Sequence, residues 1–66
     1  MADTDYQQQW EITEAMIRFG GGFVFALGRL YRTADADNQA RLRRAFPEYW
    51  AEYATLVPML KAREAK

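Results

Sequence analysis

The sequence predicts an all-α fold, a compact bundle of three to four short helices that self-associates. Apolar residues recur at steps of three and four, which is the spacing of a helix face, and no stretch alternates as a strand does. Helix-breaking residues interrupt this pattern at 20–22, at 33–37 and at Pro47. We therefore expect a single helical domain, 1–66, with helices at about 4–18, 22–32, 36–45 and 47–63.

The expectation of self-association comes from size and composition. A chain of 66 residues buries only about 60% of the surface that its unfolded form exposes, so its own core is marginal. It has no cysteine and no histidine, which rules out disulfides and the usual zinc ligand sets, and no cofactor or metal is expected. Since half of the residues are apolar, we expect a homo-oligomer, with a dimer favoured.

The first helix is expected to begin at a cap on Asp3 or Thr4 and to run to about Arg18. Its apolar positions form two stripes, one of Tyr6, Trp10, Thr13 and Ile17 and the other of Ile12, Ala15, Met16 and Phe19. Either one stripe covers the core and the other meets a second subunit, or the helix packs centrally between neighbours. On the first interpretation, the self-association residues are Tyr6, Trp10 and Ile17.

Three glycines at 20–22 are expected to end this helix, because glycine reaches the left-handed conformation that closes a helix. They have neither the spacing nor the lysine of a phosphate-binding loop, and no strand precedes them. Free amides at the start of the next helix are an alternative anion site. The favoured interpretation is a hinge between two helices.

The second helix predicts a surface for another protein. Its inward face is expected to contain Phe23, Val24, Ala26, Leu27, Leu30 and Tyr31. Phe25, Gly28, Arg29 and Arg32 fall on the other side, and an aromatic flanked by arginines has the composition of an interface hot spot. Glycine inside a helix costs about 1 kcal/mol, which suggests close packing at Gly28. The alternative is that the first helix covers Phe25 within the same chain.

Two further helices are expected after residue 35. Asp35 or Asp37 caps the third helix, and Pro47 ends it and starts the fourth. The apolar side of the third helix is Leu42, Ala45 and Phe46. A stripe on the fourth helix contains Tyr49, Trp50, Tyr53, Leu56, Val57 and Leu60. Pro58 is expected to bend this helix or to restart it.

DNA binding is the second functional hypothesis. The second and third helices and the turn between them resemble a helix-turn-helix unit, in which Asn38, Gln39, Arg41 and Arg44 would contact DNA. Residues 1–17 carry four acids and no base, whereas 18–44 carry six arginines against two aspartates. The net charge is zero, which gives little attraction to phosphates. The alternative is that these arginines are solvated or pair with the acidic first helix. A third hypothesis is a structural role through self-association alone.

The sequence does not indicate an enzyme, because it has no histidine or cysteine to act as base or nucleophile. The carboxylate pairs Asp35/Asp37 and Glu48/Glu52 lie where helix starts already explain them. The longest apolar run, 19–28, is too short to span a membrane, and the N-terminus is acidic, unlike a signal peptide. A cytoplasmic location is expected.

Residues 20–53 resemble small helical proteins of tailed bacteriophages and prophages. The shared pattern is a glycine pair followed by Phe-Val-x-Ala-Leu, then Ala-Asp-x-x-Asn, then Ala-Phe-Pro-Glu-x-Trp. The resemblance implies a phage accessory protein that acts in the cytoplasm of the bacterial host. Many proteins of that kind bind and inhibit a host enzyme or defence complex. The protein partner expected at Phe25, Gly28, Arg29 and Arg32 is then a host protein.

Overall fold

The computed structural model describes residues 2–64, with side chains from 6 to 63, as five helices and no strand within that range. The helices are α1 (Ala2–Phe19), α2 (Gly22–Thr33), α3 (Ala36–Ala45), α4 (Pro47–Ala54) and α5 (Val57–Glu64). The all-α class is confirmed, whereas the single helix predicted at 47–63 is two helices. α1 already includes Ala2, so the prediction of a cap at Asp3 or Thr4 is wrong.

α1 is the central helix of the bundle. It contacts α2 most extensively and also packs against α4 and α5, while α3 contacts α2 and α4. The core consists of Ile12, Ala15, Met16, Val24, Leu27, Tyr31, Trp50, Tyr53, Val57 and Leu60. Thr13 is fully buried and Ile17 is half-buried, so residues of both stripes of α1 are used inside the chain. Thr13 and Ile17 thus pack inside the chain, whereas Tyr6 and Trp10 of the same stripe stay exposed.

The joint between α1 and α2 depends on close packing at Gly20. A Cβ atom at Gly20 would lie 2.5 Å from the carbonyl oxygen of Met16 and 2.6 Å from Cγ1 of Val24, distances that no side chain tolerates. None of the four glycines has a positive φ, so the left-handed cap predicted here is wrong. The tight joint between two helices is confirmed, and its cause is space rather than backbone conformation.

The joints that flank α3 follow the predicted chemistry. Asp35 caps α3, because its Oδ1 accepts a hydrogen bond from the backbone N–H of Asn38 at 2.9 Å. Phe46 leaves the helical region with φ −131° and ψ 54°, and Pro47 is the first residue of α4. The corner that Phe46 and Pro47 were predicted to form is confirmed.

α4 and α5 are separated by Thr55 and Leu56. Their backbone N–H groups donate to the carbonyls of Glu52 and Tyr53, three residues back, at 3.2 and 3.1 Å. Pro58 is the second residue of α5 and has no N–H with which to continue α4. Of the two predicted effects of Pro58, the restart is the one observed.

The bundle is about two helices thick. Its principal extents are 35 × 31 × 19 Å, and one helix with its side chains is roughly 10–12 Å across. In so thin a body every helix keeps part of its surface exposed to solvent. The outward faces of α1, α2 and α3 are therefore the candidate binding surfaces.

Candidate functional site

Arg32 joins α2 to α1 through four contacts. Its Nε donates to the hydroxyl of Thr13 at 3.1 Å, and its Nη2 donates to the backbone carbonyl of Trp10 at 2.9 Å. Nη1 lies 2.9 Å from a carboxylate oxygen of Glu14. The guanidinium also stacks on the indole of Trp10, with 3.6 Å between its carbon and the ring centroid. The predicted partner-binding group at this position is thus already engaged within the chain.

The carboxylate of Glu14 completes this arrangement. It accepts a hydrogen bond from Nε of Arg18 at 2.7 Å and pairs with Arg32. The hydrogen bond from Arg18 is the largest cause that lowers the pKa of Glu14 below its ordinary value of 4.5; burial opposes it, and the interaction with Arg32 lowers the pKa further. The charge of Arg32 is therefore balanced by an ionised neighbour on α1.

Gly28 lies in the contact between α1 and α2. A Cβ atom there would be 3.1 Å from Cγ1 of Ile17 and 3.1 Å from the carbonyl oxygen of Thr13. The close packing predicted at Gly28 is present, but the neighbour is α1 of the same chain. Gly28 and Ile17 thus face each other, although they were predicted as residues of two separate binding surfaces.

The outer face of α2 remains accessible, and we define it by Phe25, Ala26, Arg29, Leu30 and Thr33. Together with Arg32, these residues line a shallow depression. Phe25 is 42% exposed and Leu30 is 54% exposed. The guanidinium carbon of Arg29 lies 5.8 Å from the centroid of the Phe25 ring. α1 therefore leaves a large part of Phe25 uncovered.

The inward face of α2 differs from the predicted one. Val24, Leu27 and Tyr31 are buried as expected, and Gly28 is buried beside them. Three residues that were predicted to point inward are exposed, namely Phe23, Ala26 and Leu30. The apolar arc of α2 is wider than the groove that covers it, so periodicity alone placed it wrongly.

The predicted self-association residues divide in the same way. Tyr6 is 69% exposed and Trp10 is 45% exposed. Their rings are nearly parallel, at 15°, with centroids 6.5 Å apart. Ile17 is half-buried against Gly28. Tyr6 and Trp10 thus form an accessible aromatic pair on α1, and Ile17 belongs to the intramolecular contact.

The residues predicted for DNA contact do not share one face. Asn38, Arg41 and Arg44 are exposed. Gln39 turns toward α2, where its Nε2 donates to the backbone carbonyl of Tyr31 at 3.0 Å. The side-chain amide of Gln39 is therefore engaged inside the chain, and only three of the four predicted side chains are exposed for contact with DNA.

A cleft lies between α1, α2 and α3 that the sequence reasoning missed. Its volume is about 280 Å³, and its walls include Tyr6, Gln9, Trp10, Tyr31, Gln39 and Arg43. At its base Nη1 of Arg43 donates to the hydroxyl of Tyr31 at 2.5 Å. Tyr31 was predicted only as an inward-facing residue of the second helix, and Arg43 was only one of the six arginines counted in 18–44. They meet because the turn after α2 folds α3 back, which no local pattern indicates.

No family model, no curated protein and no solved structure matches this chain. Within residues 2–64, none of the helices is both long enough and apolar enough to cross a membrane. The candidate functional sites are therefore the outer face of α2, the aromatic pair of Tyr6 and Trp10 on α1, and the cleft between α1, α2 and α3.

Proposed function

We propose that this chain is a small non-enzymatic protein that binds another protein through the outer face of α2. The observation that carries the proposal is the exposure of Phe25 and Leu30, 42% and 54%, on a helix whose opposite face is buried. An aromatic ring beside an arginine is the composition of residues that dominate binding energy at protein interfaces. Arg29 supplies that arginine, 5.8 Å from the ring of Phe25.

The charge of this face defines the chemistry of the partner. α2 contains two arginines and no acid, and Arg32 is neutralised by Glu14. Arg29 and the exposed Arg41, beside Leu30 on the α3 side, carry the positive charge. The complementary surface is an apolar side chain flanked by carboxylates, on a helix or loop of the partner.

A stable protein–protein interface is larger than the outer face of α2, so the contact with the partner must extend to neighbouring residues. A typical interface buries about 800 Å² on each partner, which is roughly a sixth of the 4660 Å² that this chain exposes. A second depression adjoins the outer face of α2 at Leu30 and includes Arg41 and Leu42 of α3. A partner that covers both depressions contacts α2 and α3 together, and the required area also includes the surface around them.

In line with the resemblance to phage proteins, we propose that the protein acts in the cytoplasm of a bacterial host and that binding inhibits a host protein or defence complex. Photocrosslinking in bacteria tests the proposal. A benzophenone amino acid replaces Leu30, and in a control chain it replaces Met59, which is 55% exposed on α5. We expect a discrete adduct from position 30 and not from position 59.

Two further variants make this test specific. Phe25→Ala and Arg29→Glu, placed in the chain with the crosslinker at Leu30, are expected to weaken capture at least tenfold, since hot-spot truncations cost roughly 2 kcal/mol or more. Met59→Ala is the matched control and should leave capture unchanged. The proposal is wrong if both position-25 and position-29 variants, folded by circular dichroism, give the same adduct as the parent.

The DNA-binding alternative has less support, because Gln39 is engaged with α2 and the net charge is zero. A gel shift at low salt separates the two functions, since an absence of retardation there excludes DNA binding.

A role through self-association alone would use Tyr6 and Trp10. It predicts a dimer by light scattering that the Trp10→Ala variant loses, without any adduct to another protein.

A further inference from the structure

The cleft between α1, α2 and α3 has the dimensions of a small-molecule site. Its volume of about 280 Å³ is just below the roughly 300–1,000 Å³ typical of pockets for drug-sized ligands. Three helices contribute walls, so the shape of the cleft is set by packing rather than by a loop. A ligand of this size has about one ring and one charged group.

The electrostatics of the cleft favour an anion. Its described lining residues include two arginines and no carboxylate. Arg32 is balanced by Glu14, whereas Arg43 forms no ion pair with any carboxylate of the described residues. Arg43 instead donates to the hydroxyl of Tyr31. A half-buried guanidinium in this position has further N–H groups that can donate to a ligand.

Hydrogen-bond donors outnumber acceptors around Arg43. The hydroxyl of Tyr31, a residue only 5% exposed, accepts from Arg43, and its own proton has no acceptor among the described residues. Gln9 uses its side-chain oxygen to accept from the indole of Trp50 at 2.9 Å, which leaves its amide N–H groups as donors. The neutral side-chain acceptors left on the lining residues include the side-chain oxygen of Gln39 and the hydroxyl of Tyr6, which are fewer than the donors. A ligand rich in acceptors satisfies this set.

An aromatic wall borders the charged part of the cleft. The rings of Tyr6 and Trp10 are nearly parallel and both are exposed. Arg32 holds the indole in place from one side, 3.6 Å from its centroid. The indole of Trp10 and the ring of Tyr6 beside it thus offer an aromatic surface for contact with a flat ring.

We propose that this cleft binds a small oxyanion attached to a single aromatic ring, that is, an aryl phosphate or an aromatic carboxylate. The oxyanion accepts hydrogen bonds from Arg43, Tyr31 and Gln9, and the ring lies against Tyr6 and Trp10. This site shares Arg32 with the depression on the outer face of α2 but is otherwise lined by different residues, and its size suits a small molecule rather than the protein partner.

Titration of the full chain followed by nuclear magnetic resonance tests the proposal. The probes are phenyl phosphate and benzoate, whose comparison shows which oxyanion is preferred. We expect saturable shifts of the Trp10 indole N–H and the Arg43 Nε–H, with a dissociation constant at or below about 1 mM for the better probe. Inorganic phosphate and phenol are the controls for the two halves of the ligand, and each should bind at least tenfold more weakly.

Variants on α3 assign the effect to the cleft. Arg43→Gln is expected to raise the dissociation constant roughly tenfold or more, because a charge-assisted hydrogen bond is lost. Arg44→Gln removes an exposed arginine from the next position and should change nothing. Tyr31→Phe is the second test if Arg43→Gln fails to fold, and a several-fold loss is expected. Equal binding by a folded Arg43→Gln or Tyr31→Phe chain, or equal binding of phenol, overturns the proposal, as does the absence of saturation with both probes.

Discussion

Replacement of Gly28 by alanine sets two opposing effects against each other. Alanine is more favourable than glycine inside a helix by about 1 kcal/mol. The new methyl group, however, would lie 3.1 Å from Cγ1 of Ile17, 3.1 Å from the carbonyl oxygen of Thr13 and 3.3 Å from Cβ of Met16. The oxygen of Thr13 is a backbone atom and Cβ of Met16 is bonded to the backbone, so a change of side-chain rotamer cannot remove these two contacts.

The contact of the new methyl group with α1 therefore decides whether the substitution raises or lowers the free energy of unfolding. Relief requires α1 to move from α2 by a few tenths of an ångström, and that movement also lengthens the hydrogen bonds of Arg32 to Thr13 and Trp10. Overpacking of this kind costs about 1–3 kcal/mol. The upper half of that range is about 2–3 kcal/mol, and the gain in helix propensity offsets about 1 kcal/mol of it. Gly28→Ala should therefore lower the free energy of unfolding by about 1–2 kcal/mol.

Thermal unfolding followed by circular dichroism measures this effect. A loss of 1 kcal/mol lowers the midpoint by about 4–8 °C in a domain of this size. Gly22→Ala is the matched control, because a Cβ atom at Gly22 meets nothing within 4 Å, and its midpoint should be unchanged or higher. If Gly28→Ala unfolds at the same temperature as Gly22→Ala or above it, the described contact between α1 and α2 is looser than the argument requires.

Two other predictions concern the polar joint between these helices. Arg32→Met keeps much of the side-chain volume but removes the hydrogen bonds to Thr13 and Trp10, and chemical denaturation should show a loss of about 1–3 kcal/mol. The pKa of Glu14 is lowered in the folded state, mainly by Arg18 and also by Arg32, so the unfolded chain binds protons more readily. The stability that Glu14 contributes is present above about pH 4.5 and is lost as the pH falls toward its lowered folded pKa. Glu14→Gln should flatten this acid limb of the denaturation curve, and an unchanged limb would contradict the assignment.

The helical class and most joints could be predicted because each depends on a local signal. Asp35, Phe46 and Pro47 act through their own backbone chemistry, and a sequence shows such signals directly. The restart at Pro58 was one of two predicted outcomes for the same reason. Gly20 was recognised as part of a joint, but its cause was missed, since close approach to Met16 and Val24 is a tertiary contact.

The candidate sites were harder to predict because they depend on which arc of each helix is covered. Phe25 and Arg29 were predicted to be accessible, and their side chains are exposed. Gly28 and Arg32 lie on the same helix but face α1, and only the position of α1 reveals this. Arg43 was overlooked because its partner, Tyr31, lies 12 positions earlier in the chain.

Because α1 is covered by helices from both halves of the chain, its burial depends on residues that are distant in sequence. The indole of Trp50 reaches back 41 positions to Gln9, and the ammonium group of Lys61 lies 3.1 Å from Glu11. The surroundings of α1 are therefore complete only when both α4 and α5 are packed against it, so damage to either distant helix also exposes α1.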